Sequence, residues 1–304
     1  MLKKLIMSED NKEVMCCASC GIAEIDDVKL MPCDGCDLVR YCSDECQNNH
    51  NSEHEEDCKK RAAELREELL FKQPQSSHHG DCPICSLPLP LESKKSAMYM
   101  CCSKIICHGC NYANQDRENE MNFEQSCPFC RIPLPNTNEE SVKRRMKRIE
   151  ANDPVAIRFE GSEQYNNGDH RSAFNYWTKA AELGDALAHH MLADMYHEGH
   201  GVEKDRGIEI HHLEEAAIGG HSGSRYILGA YENFDGNIER AVKHWTISAT
   251  QGDDDSIKEL MQVFRDGYVS KEDLAVALRA HKAAADATKS PQREAAEVLK
   301  NYLR

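Results

Sequence analysis

Past Cys130 the chain has no cysteine, although 16 stand up to and including that point. Nowhere does it reach the roughly 18–20 consecutive apolar residues of a membrane span. Its first residues, MLKKLIMSEDNKEVM, hold only a short apolar fragment broken by Lys3 and Lys4, too little for the core of a secretory signal. Positive charge is also scarce. The net charge is −15, with 26 acidic against 20 basic side chains in residues 1–150 and 26 against 17 thereafter. A phosphate-binding surface built from a whole domain is therefore not expected, and neither nucleic acid nor membrane is an expected partner. There is no nucleophile elbow and no phosphate loop.

The cysteines must then be explained without secretion. Disulfides belong to oxidising compartments, and thiolates held by metal belong to reducing ones. The weak N-terminal apolar signal favours the second, so the expected setting is cytoplasmic or nuclear and the expected cofactor is zinc. A length of 304 residues suggests two or three domains.

In the stretch RYCSDECQNNHNSEHEEDC (40–58), Cys42 and Cys46 are four apart, as are His54 and Cys58. On a helix that spacing puts two side chains on one face about 5–6 Å apart, suited to one ion. Upstream, Cys17–Cys20 and Cys33–Cys36 are C-x-x-C pairs, so four pairs give eight donors and two ions. The succession of C-x-x-C, C-x-x-C, YC-x-x-x-C-Q and H-x-x-x-C resembles the MYND zinc finger. That resemblance implies Cys17, Cys20, Cys42 and Cys46 on one zinc and Cys33, Cys36, His54 and Cys58 on the other, interleaved, with Cys16 spare. MYND fingers often bind short proline-rich peptides. Gln47 and His50 of the family signature are kept, but Asn51 stands where the family carries tryptophan, which removes an aromatic anchor for such a ligand.

A second group runs DCPIC, MCCSKIICHGC and SCPFCR across 81–131. The pairs Cys82/Cys85, Cys101/Cys102, Cys107/Cys110 and Cys127/Cys130 resemble a RING finger, in which pairs one and three hold one zinc and pairs two and four the other. Lys104 occupies the usual histidine position. The second site therefore needs both Cys101 and Cys102, or else His108 as a substitute. By the same resemblance, Ile84, Pro128 and Arg131 match the positions that dock a ubiquitin-conjugating enzyme, with Arg131 as the cation bridging that enzyme to ubiquitin. The bulky apolar helix position after Cys110 is filled only by Tyr112.

Between the groups, 55–72 is rich in helix formers, and QPQSSHHG (73–80) breaks the pattern as a linker. A further helix capped by Asn138 carries Lys143, Arg144, Arg145, Lys147 and Arg148, expected as a solvated face. From Asp153 onward the chain repeats. Ala173, Ile208, Ala241 and Ala277 start similar stretches. They are followed in register by Trp177, His212, Trp245 and His281, by Ala181, Ala216, Ala249 and Ala285, and by Gly184, Gly219, Gly252 and Thr288. Each unit reads as a helix with a second helix before it, closed by glycine in the first three and lacking that glycine in the fourth, as a capping unit would. Such units must stack to bury their faces. They resemble Sel-one-like repeats, relatives of the tetratricopeptide repeat, best over 185–221 with the loop HEGHGVEKD. The resemblance implies a curved scaffold that binds proteins. Histidines 189, 190, 197, 200, 211, 212, 221 and 244 match no ligand spacing and are expected in packing and surface roles.

The expectation is a mainly α chain, in which two small cross-braced zinc modules precede an α-solenoid of helical-hairpin repeats. Its parts are a MYND-type finger (16–58), a helix and linker (59–80), a RING-like finger (81–135) and the repeats (153–304), with about four zinc ions in all. The arrangement resembles a family found in diatoms. An adapter binding protein partners is the first functional expectation. The alternative is a RING-type ubiquitin ligase whose repeats recruit substrate.

Overall fold

In a computed structural model of the chain, residues 5–7, 13–24 and 28–302 are described, with side chains for 15–24 and 28–298. They fall into two compact units divided between Lys72 and Gln73.

The first unit opens with β1 (Leu5–Met7) and β2 (Glu13–Met15), antiparallel with Leu5 opposite Met15. A second short pair joins β3 (Met31–Pro32) to β4 (Arg40–Tyr41). Then comes the long helix α1 (Asp44–Leu70), begun by Ser43, whose side chain accepts from the Cys46 N–H, and favoured by Asp44 and Glu45 in its first turn. The helix expected over 55–72 thus starts earlier. It carries Cys46, His50, His54 and Cys58 as one stripe at intervals of four, whereas Cys42 lies before it. Among the described residues, the cluster around these cysteines holds only Leu30 and Tyr41 as buried apolar side chains besides the cysteines, with Val28 and Val39 partly buried against it. So little apolar surface stabilises a fold weakly, which leaves the cysteine and histidine donors as its main support.

The second unit begins with the hairpin β5 (Ser96–Tyr99) and β6 (Lys104–Cys107), paired from Ser96–Cys107 to Tyr99–Lys104. Helix α2 (His108–Glu120) follows directly. Helix α3 (Asn138–Glu150) is capped by Thr137 rather than Asn138. Nor is its basic run simply a solvated face. Arg145 is buried against Glu160 at 2.7 Å, Arg148 pairs with Asp153, and Arg144 pairs with Glu140 and donates to the Pro133 carbonyl. Burying Ile149 on the repeats draws the neighbouring arginines in with it.

The repeats are the helix pairs α4 (Pro154–Asn166) and α5 (His170–Glu182), α6 (Ala186–Glu198) and α7 (Arg206–Ile218), α8 (Ser222–Phe234) and α9 (Ile238–Thr250), and α10 (Asp254–Arg265) and α11 (Lys271–Ala287). Between them, glycine at positive φ closes one pair and a polar cap opens the next: Gly184 before Asp185, Gly220 before His221, Gly252 before Asp253. The expected register slips by one residue in the second repeat, the α6–α7 pair. Of the doublet Gly219–Gly220, only Gly220 takes the left-handed conformation, at φ +86°. Glu209, Leu213 and Ala217 therefore stand where Ala173, Trp177 and Ala181 do, and Ile208 is exposed.

Packing inside a pair follows volume. A Cβ on Gly161 would lie 2.5 Å from the Trp177 ring, and one on Gly229 would lie 2.5 Å from Trp245. Each indole N–H donates to a carbonyl of the partner helix, Arg158 at 3.1 Å and Tyr226 at 3.3 Å. In the second repeat the equivalent residues are Ala193 and Leu213, both buried. Glycine accompanies the indole, and alanine accompanies the smaller leucine.

Two segments depart from the expected outline. Residues 73–80 are no loose linker. Gln73 accepts from Thr250 Oγ1 at 3.0 Å, the Ser76 carbonyl accepts from Gln251 Nε2 at 3.4 Å, and the His78 N–H donates to the Gly220 carbonyl at 3.1 Å. They form a strap over the α7–α8 and α9–α10 turns. The last helix, α12 (Pro291–Tyr302), packs against α2 of the cysteine-rich module. No helix among the described residues is long and apolar enough to cross a membrane.

Candidate metal centres

Four of the C-x-x-C turns share one backbone design. The N–H of the first cysteine donates to a carbonyl beyond the turn: Cys17 to Ile22, Cys33 to Val39, Cys82 to Leu87 and Cys127 to Ile132, all at 2.8–2.9 Å. Its own carbonyl accepts from the residue after the second cysteine, which is Gly21, Asp37, Ser86 or Arg131. Those four residues all take positive φ, between 54° and 80°. The reversal aims both thiols at one point. Cys107 and Cys110 converge differently, at the start of α2, where the Cys107 sulfur accepts from the Cys110 N–H at 3.5 Å. Cys101 and Cys102 sit at the tip of the β5–β6 hairpin, where Ser103 at φ 53° makes the turn.

The sulfur and nitrogen atoms gather into four sets, each within 4.8 Å: Cys17, Cys20, Cys42 and Cys46; Cys33, Cys36, His54 and Cys58; Cys82, Cys85, Cys107 and Cys110; Cys101, Cys102, Cys127 and Cys130. Both modules are cross-braced, and His108 belongs to none of the four sets. The distances decide between the two chemistries of cysteine. A disulfide needs sulfurs about 2.0 Å apart, whereas a tetrahedron with Zn–S of about 2.3 Å has an edge of about 3.8 Å. Cys33–Cys58 are 3.7 Å apart, Cys42–Cys46 3.6 Å, Cys85–Cys107 3.8 Å and Cys102–Cys127 3.8 Å. Cys20–Cys42 at 3.5 Å and Cys101–Cys130 at 3.3 Å are slightly tighter, and Cys36 Sγ lies 3.1 Å from His54 Nε2. These donors fit zinc, and four protein donors per set leave no open position.

The proton affinities show why a cation suits the sets. Accepting from the Cys107 thiol, together with backbone N–H groups, outweighs burial and brings Cys82 down to about 4, while Cys107 itself is pushed up. Burial raises Cys17, but N–H groups of Cys20, Cys42 and Ser19 bring it to about 6; sharing hydrogen bonds with Cys20 and Cys46 pushes Cys42 up to about 12. Burial raises Cys101, with Cys130 and Cys127 adding to it. The first thiolate in a set thus opposes the next, and a dication removes that opposition. His54 is lowered by burial, which favours the neutral ring that a metal requires.

The three positions expected to face a conjugating enzyme are not one exposed patch. Ile84 is exposed at the tip of its turn, Pro128 is buried, and Arg131 is exposed with its guanidinium donating to Asn114 Oδ1 at 2.8 Å. Asn114 is a residue that the sequence reading passed over. It also donates to the Ser126 carbonyl, and it is found only once α2 is laid beside the last cysteine turn. The repeat histidines divide between packing and surface: His221 caps α8 through Nδ1, His190 Nδ1 meets Ser224 Oγ at 3.1 Å, and His189 meets His212 at 3.0 Å, whereas His197, His200 and His211 are exposed.

Residues 17–58 match the MYND finger family, and residues 159–185, 186–221 and 223–253 match the Sel1 repeat family. No curated protein matches the chain. Similar solved structures include a Sel1 repeat protein from Oxalobacter formigenes, with 27% identity over 51% of this chain and 66% of that one and a TM-score of 0.43. Another is a protective antigen of uropathogenic Escherichia coli strains displaying an SLR fold, with 20% identity over 56% of this chain and 37% of that one and a TM-score of 0.38. The chain spans less than two thirds of either structure's length.

Proposed function

We propose that a chain joining a MYND finger, a second cross-braced cysteine module and Sel1 repeats is a zinc-stapled adapter that binds other proteins. The observation that carries this reading is the closed donor sets in a chain that also carries the repeats. Each metal position is filled by four protein atoms, so the ions support surfaces and offer no reactive site. All sixteen donors named above are assigned as ligands, two ions to each module. The repeats supply a stacked helical surface of the kind that holds protein segments.

The finer alternative is a RING-type ligase. Exposed Ile84 supports it, while buried Pro128 and an Arg131 already engaged by Asn114 count against it. The test is discharge of ubiquitin from preloaded conjugating enzymes by the zinc-loaded full chain. The adapter reading expects no acceleration. Acceleration that Ile84→Ala and Arg131→Ala both abolish would overturn it.

A further inference from the structure

We propose that Arg293 is an outer donor to the Cys82/Cys85/Cys107/Cys110 set, so that docking of α12 and metal binding there form one linked equilibrium. This rests on the reading of that set as a zinc site. Arg293 stands in the first turn of α12, some 200 residues from the cysteines in sequence, yet only 7% of it is exposed. Its guanidinium grips the exit side of the first cysteine turn. Nη2 donates to Cys85 Sγ at 3.4 Å and to the Leu87 carbonyl at 3.2 Å, and Nη1 donates to the carbonyls of Pro88 and Thr288, both at 2.7 Å. Leu87 is also the acceptor of the Cys82 N–H, so the arginine grips the carbonyl that shapes the turn.

The contact continues at the other half of the same set. Gly109 lies between Cys107 and Cys110, and a Cβ there would meet the Arg293 backbone nitrogen at 2.8 Å and its Cγ at 2.9 Å. Only glycine lets the first turns of α2 and α12 approach so closely. The charge sense agrees with the geometry. Four thiolates around a dication leave a net charge of −2, and the guanidinium and the positive end of α12 both lie beside it. Outer-shell donors to metal-bound groups typically change affinity about ten- to a hundredfold. Because linkage is reciprocal, zinc must favour the docked helix by the same factor.

The full-length chain is loaded with zinc, its metal content is counted, and release to excess chelator is followed for the wild type, Arg293→Lys, Arg293→Gln and Gly109→Ala. Four ions per chain are expected. In Arg293→Gln and Gly109→Ala one ion should leave about ten- to a hundredfold faster than in the wild type. Arg293→Lys should fall between, since an ammonium cannot serve four acceptors as a fork does. Cadmium-113 resonances of the loaded protein should show one signal moving in Arg293→Lys and three staying in place. Amide exchange in 290–298 should rise when Cys85→Ser disables the set. Four bound ions with unchanged release, resonances and exchange would overturn the linkage. Fewer than four ions in the wild type, with the missing one traced to this set, would overturn the zinc reading itself and the linkage with it. If Gly109→Ala fails to fold, the two Arg293 variants decide.

Discussion

The His78 N–H donates to the Gly220 carbonyl at 3.1 Å, and a Cβ on Gly220 would stand 2.8 Å from the Ser76 carbonyl. One glycine therefore closes a repeat and seats the strap. Gly220→Ala should cost more than the roughly 1–2 kcal/mol of a left-handed alanine alone. Gly168→Ala is the control, because its φ of +83° is similar and nothing lies within 4 Å of its Cβ. Thermal unfolding should rank Gly220→Ala below Gly168→Ala. Amide exchange at 76–79 should accelerate in the first and stay unchanged in the second. Equal behaviour would mean that the strap contributes no stability.

This strap marks where sequence reading stops. The donor pairs were legible because metal spacing is written locally, within two to four residues. The repeat was legible because it recurs. Residues 73–80 carried proline, serine and glycine, which signal only an interruption of helix; what they lie on depends on the turns of residues 219–220 and 250–252, far along the chain. The slip at Gly219–Gly220 has a similar origin, since either glycine satisfies a helix end and only packing chooses. Gly161 and Gly229 read as helix-weakening residues until Trp177 and Trp245 are laid against them. Arg293 gave no signal at all, because a single arginine on a polar helix has no local pattern.

Acid should loosen the second unit through its buried histidines. Burial, with His190, His78, His79 and Arg158 nearby, brings His221 down to about 2, and burial with His79 brings His78 to about 3. His221 Nδ1 accepts the Ser224 N–H at 3.0 Å, a role that a protonated ring nitrogen cannot fill. These folded values lie below the ordinary 6.5, so between about pH 6.5 and 3 the unfolded chain takes up more protons. Stability is then full above about pH 6.5 and falls as pH drops, by at most about 1.4 kcal/mol per pH unit for one histidine. Asparagine keeps the cap without the charge. Urea midpoints read from Trp177 and Trp245 should therefore fall less between pH 7 and 5 in His221→Asn than in the wild type. Parallel curves would remove His221 from the account.

Metal binding in the first unit should fail without the loss of any ligand. Gly35 lies between Cys33 and Cys36, and a Cβ there would stand 2.9 Å from Cys58 Sγ. Gly35→Ala must push that sulfur away, opening one edge of the Cys33/Cys36/His54/Cys58 set. Because structural zinc supplies on the order of 10–16 kcal/mol of folding energy to small modules, the segments that carry this set, 33–36 and 54–58, should lose amide protection along with the ion. The expected zinc content falls from four to three per chain, and the Trp fluorescence of the repeats is unchanged. A content of four with full protection would show that the turn yields by other means.

The remaining expectation concerns the joint between α3 and α4. Arg145 Nε donates to Glu160 Oε2 at 2.7 Å, with both side chains about nine-tenths buried, and Gln164 fills the other carboxylate oxygen at 2.7 Å. The guanidinium also lies 5.2 Å from the Phe159 ring centroid. Arg145→Met would leave the Glu160 charge buried without its counterion, and losing one partner of such a pair costs about 3–5 kcal/mol. Glu160→Met leaves the arginine stranded in the same way. The double variant Arg145→Met/Glu160→Met removes both desolvation penalties and keeps similar volume, so it should be more stable than either single variant. A denaturant cycle over the four proteins measures that coupling. If the single variants each cost under about 1 kcal/mol, the pair is solvated like an ordinary surface bridge, and α3 would carry its basic run as the sequence pattern alone suggested.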